Sequence, residues 1–256
     1  MIDIHCHILP GVDDGAGSLD TARRMAHQAV EGGTDQIVVT PHFLRPDQGR
    51  LIPAGVLAEH IGLLQEAFRK EGIPLNLYTG MEVFAAPELP MLLERQEVLT
   101  LAQSRYLLIE FFFDEEEEYM DRMLETVWDM GLWPVVAHPE RYYAVQRRPM
   151  LAVEWFERGF CLQLNKGSVT GTLGSAAAST AWWLLRRGLA HMVASDAHGY
   201  QRRTTDLGQA KKLLDEHLGT TYTRLLLEEN PGRILENTDM IMPEAWQGKL
   251  RDPSDQ

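Results

Sequence analysis

Seven short apolar runs, each ending in polar residues and most followed by a stretch of helical periodicity, constrain this chain more than any other feature of it. They fall at 2–5, 36–40, 75–79, 106–110, 134–138, 161–165 and 191–195. Their near-continuous apolar character is that of parallel strands buried on both faces. Helical patterns lie near 56–70, 121–130, 150–158, 176–187 and 205–217. A further one begins after Ser18, an N-cap residue, and carries Met25, Ala26, Ala29 and Val30 on one face until Gly32-Gly33 stops it. Strand alternating with helix predicts a parallel α/β architecture, with a seven-stranded imperfect barrel as first choice and a doubly wound open sheet as second. No repeat or linker interrupts residues 1–247, so one domain is expected there, with a disordered tail at 248–256 (GKLRDPSDQ).

Composition narrows the function. A chain of 256 residues, 45% of them hydrophobic, has enough apolar material for one large core, and single α/β barrels run to about 250 residues. No run approaches the roughly 20 apolar residues of a membrane span, and MIDIHCHILPG lacks the basic start of a secretory signal. Two cysteines make no disulfide framework, so a cytoplasmic location is expected. A formal net charge of −13 without a Lys/Arg track disfavours nucleic acid as partner.

In parallel α/β folds the working residues sit at the C-terminal ends of strands. Those ends read His5-Cys6-His7, followed by Asp13-Asp14; Pro41-His42; Gly80-Met81-Glu82; Glu110; His138-Pro139-Glu140-Arg141; and Asp196-Ala197-His198. Residues i and i+2 of an extended strand share a side, so His5 and His7 can meet one cation while Cys6 faces away, and Asp196 and His198 stand in the same relation. Imidazole and carboxylate without thiolate suit zinc, manganese or iron(II). Taken singly, each has a plainer explanation: a polar loop for His-x-His, a hydrogen-bonded turn for His42, a surface carboxylate for Glu82 or Glu110. A carboxylate ending an apolar strand is nevertheless costly unless paired, and six strand ends of seven carrying such groups point to a metal centre.

Other polar features read as structural. His27 and His60 lie within helical patterns, His191 starts a strand, and His217 sits near a helix end where a cation is favoured. The acidic run at 114–118 fits a solvated helix start, and Trp182-Trp183 fits a core. The loop GSVTGTLG at 167–174 lacks the Lys-Ser/Thr ending of a phosphate-binding P-loop.

Asp3-Ile4-His5-Cys6-His7, the Asp13-Asp14-Gly15 turn, Pro41-His42, Glu82, Ile109-Glu110, Ala137-His138-Pro139-Glu140-Arg141, Ser195-Asp196-Ala197-His198 and Glu229-Asn230-Pro231 together resemble the PHP superfamily of metal-dependent phosphoesterases. More closely, they resemble its bacterial protein-tyrosine phosphatases of capsule and exopolysaccharide loci. The resemblance implies a distorted, TIM-barrel-like (β/α)7 barrel with three divalent ions, manganese foremost and iron, cobalt or zinc as alternatives. It implies that His5, His7, Glu82 and Asp196 hold the first ion. Glu82 then bridges to a second held by Glu110 and His138, and Asp14, His42 and His198 hold a third. It gives Arg141 and Arg203 to the phosphate, with Arg202 as a neighbouring alternative for the latter. The implied substrate is phosphotyrosine in a protein, the tail of a bacterial autophosphorylating tyrosine kinase controlling polysaccharide export. Rival functions are a histidinol-phosphatase-like enzyme of the same superfamily and a non-catalytic metal-binding regulatory module. Thiol chemistry is disfavoured, because a phosphate-cradling Cys needs an Arg six positions on, where Cys6 has Val12 and Cys161 has Gly167.

Overall fold

A computed structural model describes residues 1–46 and 52–242. The expected boundary at 247 and the tail at 248–256 lie outside the described residues. Nine strand segments appear among the described residues, all paired in parallel: β1 (Ile2–Cys6), β2 (Gln36–Val39), β3 (His42–Phe43), β4 (Asn76–Thr79), β5 (Glu82–Phe84), β6 (Tyr106–Glu110), β7 (Trp133–Ala137), β8 (Cys161–Asn165) and β9 (Met192–Ala194).

Seven apolar runs become nine segments because two of them break. The second run breaks at Thr40-Pro41, where proline has no N–H for the ladder, and the third at Gly80-Met81. The lower halves pair as β1-β2-β4 and the upper halves carry on as β3-β5-β6-β7-β8-β9. Around the turn, β9 meets β1 again through a bridge between Cys6 and Ala197, with His7 N–H donating to Ala197 O and Asp196 N–H to His5 O, both at 2.9 Å. No ladder joins β4 to β6; the short turn Leu101–Gln103 packs against both instead. The result is a distorted parallel α/β barrel, not an open doubly wound sheet.

The helices follow from apolar spacing. Leu19–Glu31 is capped by Ser18, whose Oγ accepts from Thr21 N–H at 3.2 Å, and it buries Ala22, Met25, Ala26 and Ala29, with Val30 only partly covered. Ala54–Lys70 buries Leu57, Ile61, Leu64 and Phe68, one apolar stripe at helical period. Glu117–Asp129 starts earlier than the apolar pattern alone implied, because Glu117 and Glu118 of the acidic run form its first turn. The helical pattern at 205–217 begins later, at Gly208, after a turn in which the buried Thr205 hydroxyl donates to Met25 O. Near the end, the buried Asn230 amide donates to His191 O and Ile241 O and accepts from Ile241 N–H. That motif therefore fastens the C-terminal segment beneath β9.

Two apolar layers result. The larger lies between strands and helices and includes Cys6. A smaller one gathers Leu108, Val135, Ala137, Cys161, Ala194 and Ile234 among others. Two-residue steps from these members toward the strand ends lead from Leu108 to Glu110, from Cys161 to Gln163 and Asn165, and from Ala194 to Asp196. Strand periodicity thus carries one face from apolar packing into a cluster of polar groups.

Candidate metal centre

His5, His7, Glu82 and Asp196 converge from three strand ends, all buried. His5 Nε2 lies 3.2 Å from His7 Nε2 and 3.2 Å from Glu82 Oε2, and His7 Nε2 is 3.2 Å from the same oxygen. Asp196 Oδ1 is 3.5 Å from His5 Nε2 and 3.6 Å from His7 Nε2. A tetrahedron with such edges has its centre about 2.0–2.2 Å from each corner, the bond length of a first-row divalent cation to nitrogen or oxygen. Glu82 Oε2 is fully buried and faces three imidazole nitrogens at 2.9–3.2 Å without a well-aligned hydrogen bond to any of them, an arrangement that a cation shared among them would satisfy. These donors fit a hard or borderline divalent ion.

Two further groups adjoin this one. Asp14 Oδ1 lies 3.4 Å from His42 Nε2 and 3.3 Å from His198 Nε2, and His7 is close enough to join them. On its other side His42 Nδ1 lies 2.9 Å from Glu82 Oε2 and 2.9 Å from Glu110 Oε1. The structure therefore groups His42, not His138, with Glu82 and Glu110. His138 meets Glu82 through the other oxygen, Oε1, at 3.0 Å. Three residues here have left-handed backbones without being glycine: His138 at φ 36°, Asp196 at φ 49° and Arg203 at φ 47°. Each costs about 1–3 kcal/mol; His138 and Asp196 bend the chain just past β7 and β9, and Arg203 lies in the loop after β9.

Arginines close the rim. Arg141 Nη1 donates to Asp196 Oδ2 at 3.3 Å, and its guanidinium stacks 4.3 Å from the Phe113 ring centroid. Arg203 Nη2 donates to Asp196 Oδ1 at 2.6 Å, whereas Arg202 is exposed. Arg45, in a segment where the sequence offers no motif, reaches Glu110 Oε2 at 3.1 Å.

A family model described as capsular polysaccharide synthesis, CpsB/CapC, matches residues 1–236. The chain belongs to the CpsB/CapC family. Within reach of this CpsB/CapC chain is the tyrosine-protein phosphatase YwqE of Bacillus subtilis (strain 168), 35% identical over 93% of this chain and 92% of that one. Tyrosine-protein phosphatase CpsB of Streptococcus pneumoniae is 30% identical over 92% and 98%. A chain from the crystal structures of YwqE from Bacillus subtilis and CpsB from Streptococcus pneumoniae, described as unique metal-dependent tyrosine phosphatases, superimposes with a TM-score of 0.89 at 33% identity, covering 95% of this chain and 97% of that one.

Residues around the ligands hold the CpsB/CapC centre in place, and of these Gln163, Gly15 and Asn165 carry no charge signal in the sequence. Gln163 Oε1 accepts from His5 Nδ1 at 2.8 Å while its Nε2 donates to Leu164 O, so the amide is locked and Nε2 is the His5 nitrogen turned toward the cluster. Asp13 Oδ2 accepts from His7 Nδ1 at 2.7 Å and from His42 N–H at 3.1 Å, doing the same for His7. Gly15 lets this turn lie on His7, since a Cβ there would sit 2.2 Å from His7 O. Asn165 Nδ2 donates to Asp196 Oδ2 at 2.5 Å, and its own N–H is held by Glu140 Oε1 at 2.9 Å. Lys166 turns elsewhere, donating to Thr204 Oγ1 and Asp206 O.

The charges suit cation binding. Burial alone would push the Glu82 and Asp196 carboxyls up, but the histidines around Glu82, and His5 and Arg203 beside Asp196, hold both below the usual carboxylate range. Burial keeps His138 and His198 neutral at about 4, and neutral imidazole is the ligand form. His5, despite burial, is raised to about 9 by Glu82 and Asp196. The same negative field attracts divalent cations. Both cysteines are buried, and burial pushes the Cys161 thiol up to about 12 and Cys6 well above its usual value, so neither is a thiolate at neutral pH. His191 is a core residue whose Nδ1 accepts from Leu162 N–H at 3.0 Å. Among the described residues no helix is long and apolar enough to cross a membrane.

Proposed function

We propose that this chain is a metal-dependent protein-tyrosine phosphatase, its catalytic unit one domain spanning residues 1–247. The observation that carries the reading is the buried convergence of His5, His7, Glu82 and Asp196 at 3.2–3.6 Å, with Arg141 and Arg203 both on Asp196. Three divalent ions, manganese foremost, are proposed. His5, His7, Glu82 and Asp196 hold one, Glu82, Glu110 and His138 a second, and Asp14, His42 and His198 a third. His42 Nδ1 lies close to Glu82 and Glu110, so with Nε2 given to the third ion its Nδ1–H would donate to these carboxylates and hold them in place.

Bound cations supply Lewis-acid stabilisation of the phosphoryl oxygens and a water acidified toward neutrality. The chain supplies the rest. Arg141 and Arg203 each give one N–H contact to Asp196 and keep further donors for phosphoryl oxygens, where charge spreads in the transition state. Phe113 holds the Arg141 plane by stacking. A phenolate leaving group has a pKa of about 10, so it departs with less help from a general acid than an alkoxide needs. No cysteine takes part, and no phosphoenzyme is required.

The substrate we infer is the tyrosine-rich tail of a bacterial autophosphorylating tyrosine kinase controlling capsule or exopolysaccharide synthesis, met in the cytoplasm. Names and structures of the relatives support this class, and a centre at the strand ends admits an extended tail where a folded surface would not reach. The deciding experiment measures kcat/KM on matched phosphotyrosyl and phosphoseryl peptides and on histidinol phosphate. A preference for the phosphotyrosyl peptide is expected. Equal rates on the two peptides, or a preference for histidinol phosphate, would remove the assignment while leaving the metal centre standing.

A further inference from the structure

A groove of about 750 Å³ leaves the centre beside His42, and phosphate chemistry does not account for its walls. Its inner end is His42 and Arg45, the residues in contact with Glu82 and Glu110. Beyond them the wall is aromatic: Phe84 and Phe112 meet edge to face with centroids 4.5 Å apart. Phe112 is 44% exposed and Met91, beside it in the same groove, 41%, an apolar strip left open on a chain of net charge −13. Glu88 and Glu115 also line it and make part of the wall acidic. Between them Tyr119 is pinned by a hydrogen bond from its hydroxyl to Ala85 O at 2.7 Å.

We propose that this groove binds the substrate segment flanking the phosphotyrosine, seating an aromatic or large aliphatic side chain on Phe84 and Phe112 and a lysine or arginine against Glu88 and Glu115. The assignment rests on the phosphotyrosine reading of the centre. Continuity selects this occupant: His42 and Arg45 belong to both places, so a chain with its phosphate at the ions has its next residues, about 3.3–3.6 Å apart when extended, over the aromatic wall. Charge selects its composition. Arg122 lies over the Tyr119 ring and Arg148 pairs with Glu117, but Asp114, Glu116 and Glu118 also flank Glu115 in the chain, so the field favours a basic residue and repels an acidic one.

The test compares two phosphotyrosyl peptides, one with Phe and Lys beside the phosphotyrosine and one with Gly and Glu, together with p-nitrophenyl phosphate. Wild-type protein, Phe112→Ser and Glu115→Lys are assayed with manganese present. Wild type is expected to favour the first peptide by about tenfold in kcat/KM, the scale of one aromatic contact plus one exposed ion pair. Both variants lose most of that preference while hydrolysing p-nitrophenyl phosphate within about twofold of wild type, which also shows that they fold. Equal wild-type rates on the two peptides, or a preference that survives both substitutions, would overturn the groove assignment. Turnover of p-nitrophenyl phosphate with none of either peptide would instead remove the phosphotyrosine reading, and the groove assignment with it.

Discussion

Gln163 Oε1 lies 2.8 Å from His5 Nδ1, on the ring edge away from the cluster that His5 Nε2 joins. Because Gln163 Nε2 is committed to Leu164 O, the pair admits one arrangement, with His5 donating from Nδ1 and presenting Nε2 to Glu82 and Asp196, where a cation displaces its proton. Gln163→Leu keeps the volume and removes the acceptor. It is expected to weaken divalent-metal affinity by about 10–100-fold, the usual cost of losing such an outer partner. Calorimetric titration of the metal-stripped protein reads this directly, and an unchanged affinity would refute the role given to Gln163.

Chelation should abolish phosphatase activity, and manganese or cobalt should restore it. Metal at 100 times its Kd should also stabilise the fold by about 2.7 kcal/mol for each independent site filled, seen as a raised Tm. Full activity in protein shown by elemental analysis to be metal-free would sink the whole reading. Among single substitutions at the centre, Glu82→Ala should be severe, since Glu82 contacts His5, His7, His42 and His138.

Arg141→Ala separates phosphate binding from metal retention. Its guanidinium touches Asp196 and Phe113 and is only partly buried, so metal content should stay constant. The rate should fall by an amount equivalent to about 2–4 kcal/mol, as for removal of one transition-state donor. Loss of metal together with activity would make Arg141 a structural residue.

Cys6→Ser and Cys161→Ser should retain most of the activity per folded molecule, though each buries a hydroxyl in a site built for a thiol and should lower stability by about 1–3 kcal/mol. Alkylating reagents should act slowly on the native protein. Inactivation of both variants with metals and fold intact would reopen thiol chemistry.

Acid should weaken the fold partly through His191, whose pKa burial lowers from 6.5 to about 3. The unfolded chain then binds the proton and the folded one does not, so this contribution is complete above about pH 6.5 and is lost as pH falls toward 3. Its full size is on the order of 5 kcal/mol. Urea midpoints measured at pH 7 and pH 4 should fall less for His191→Gln than for wild type. An equal fall would assign acid lability elsewhere.

Strand ends were legible because a parallel barrel puts its chemistry there, and residues such as Glu110 or Asp196 are out of place after an apolar run unless something compensates them. What was hidden had a common cause. Gln163 and Asn165 stand two apart at the end of the sixth run, as His5 and His7 do at the first, but neutral amides raise no such conflict with burial. Arg45 lies in a segment with no periodicity to locate it. The choice of Arg203 over Arg202 turns on a left-handed backbone at Arg203 that no charge pattern encodes. The split of two strands had a partial signal in Pro41, while the break at Gly80 follows from the close approach of Val38, which only the tertiary fold brings near.

The seam between β1 and β9 also sets a clock. Asp3 Oδ1 accepts from Ser195 N–H across 192 residues, and His5 and His7 meet Asp196 there. A ribosome therefore releases the first two histidines long before their partners exist. Until β9 emerges, the N-terminal His-x-His pair is an incomplete chelate on an unclosed sheet, so tight metallation of the site that Asp196 completes must follow synthesis of that strand. Closure of the ring and completion of the centre are one late event, and a nascent chain stalled before Asp196 carries neither.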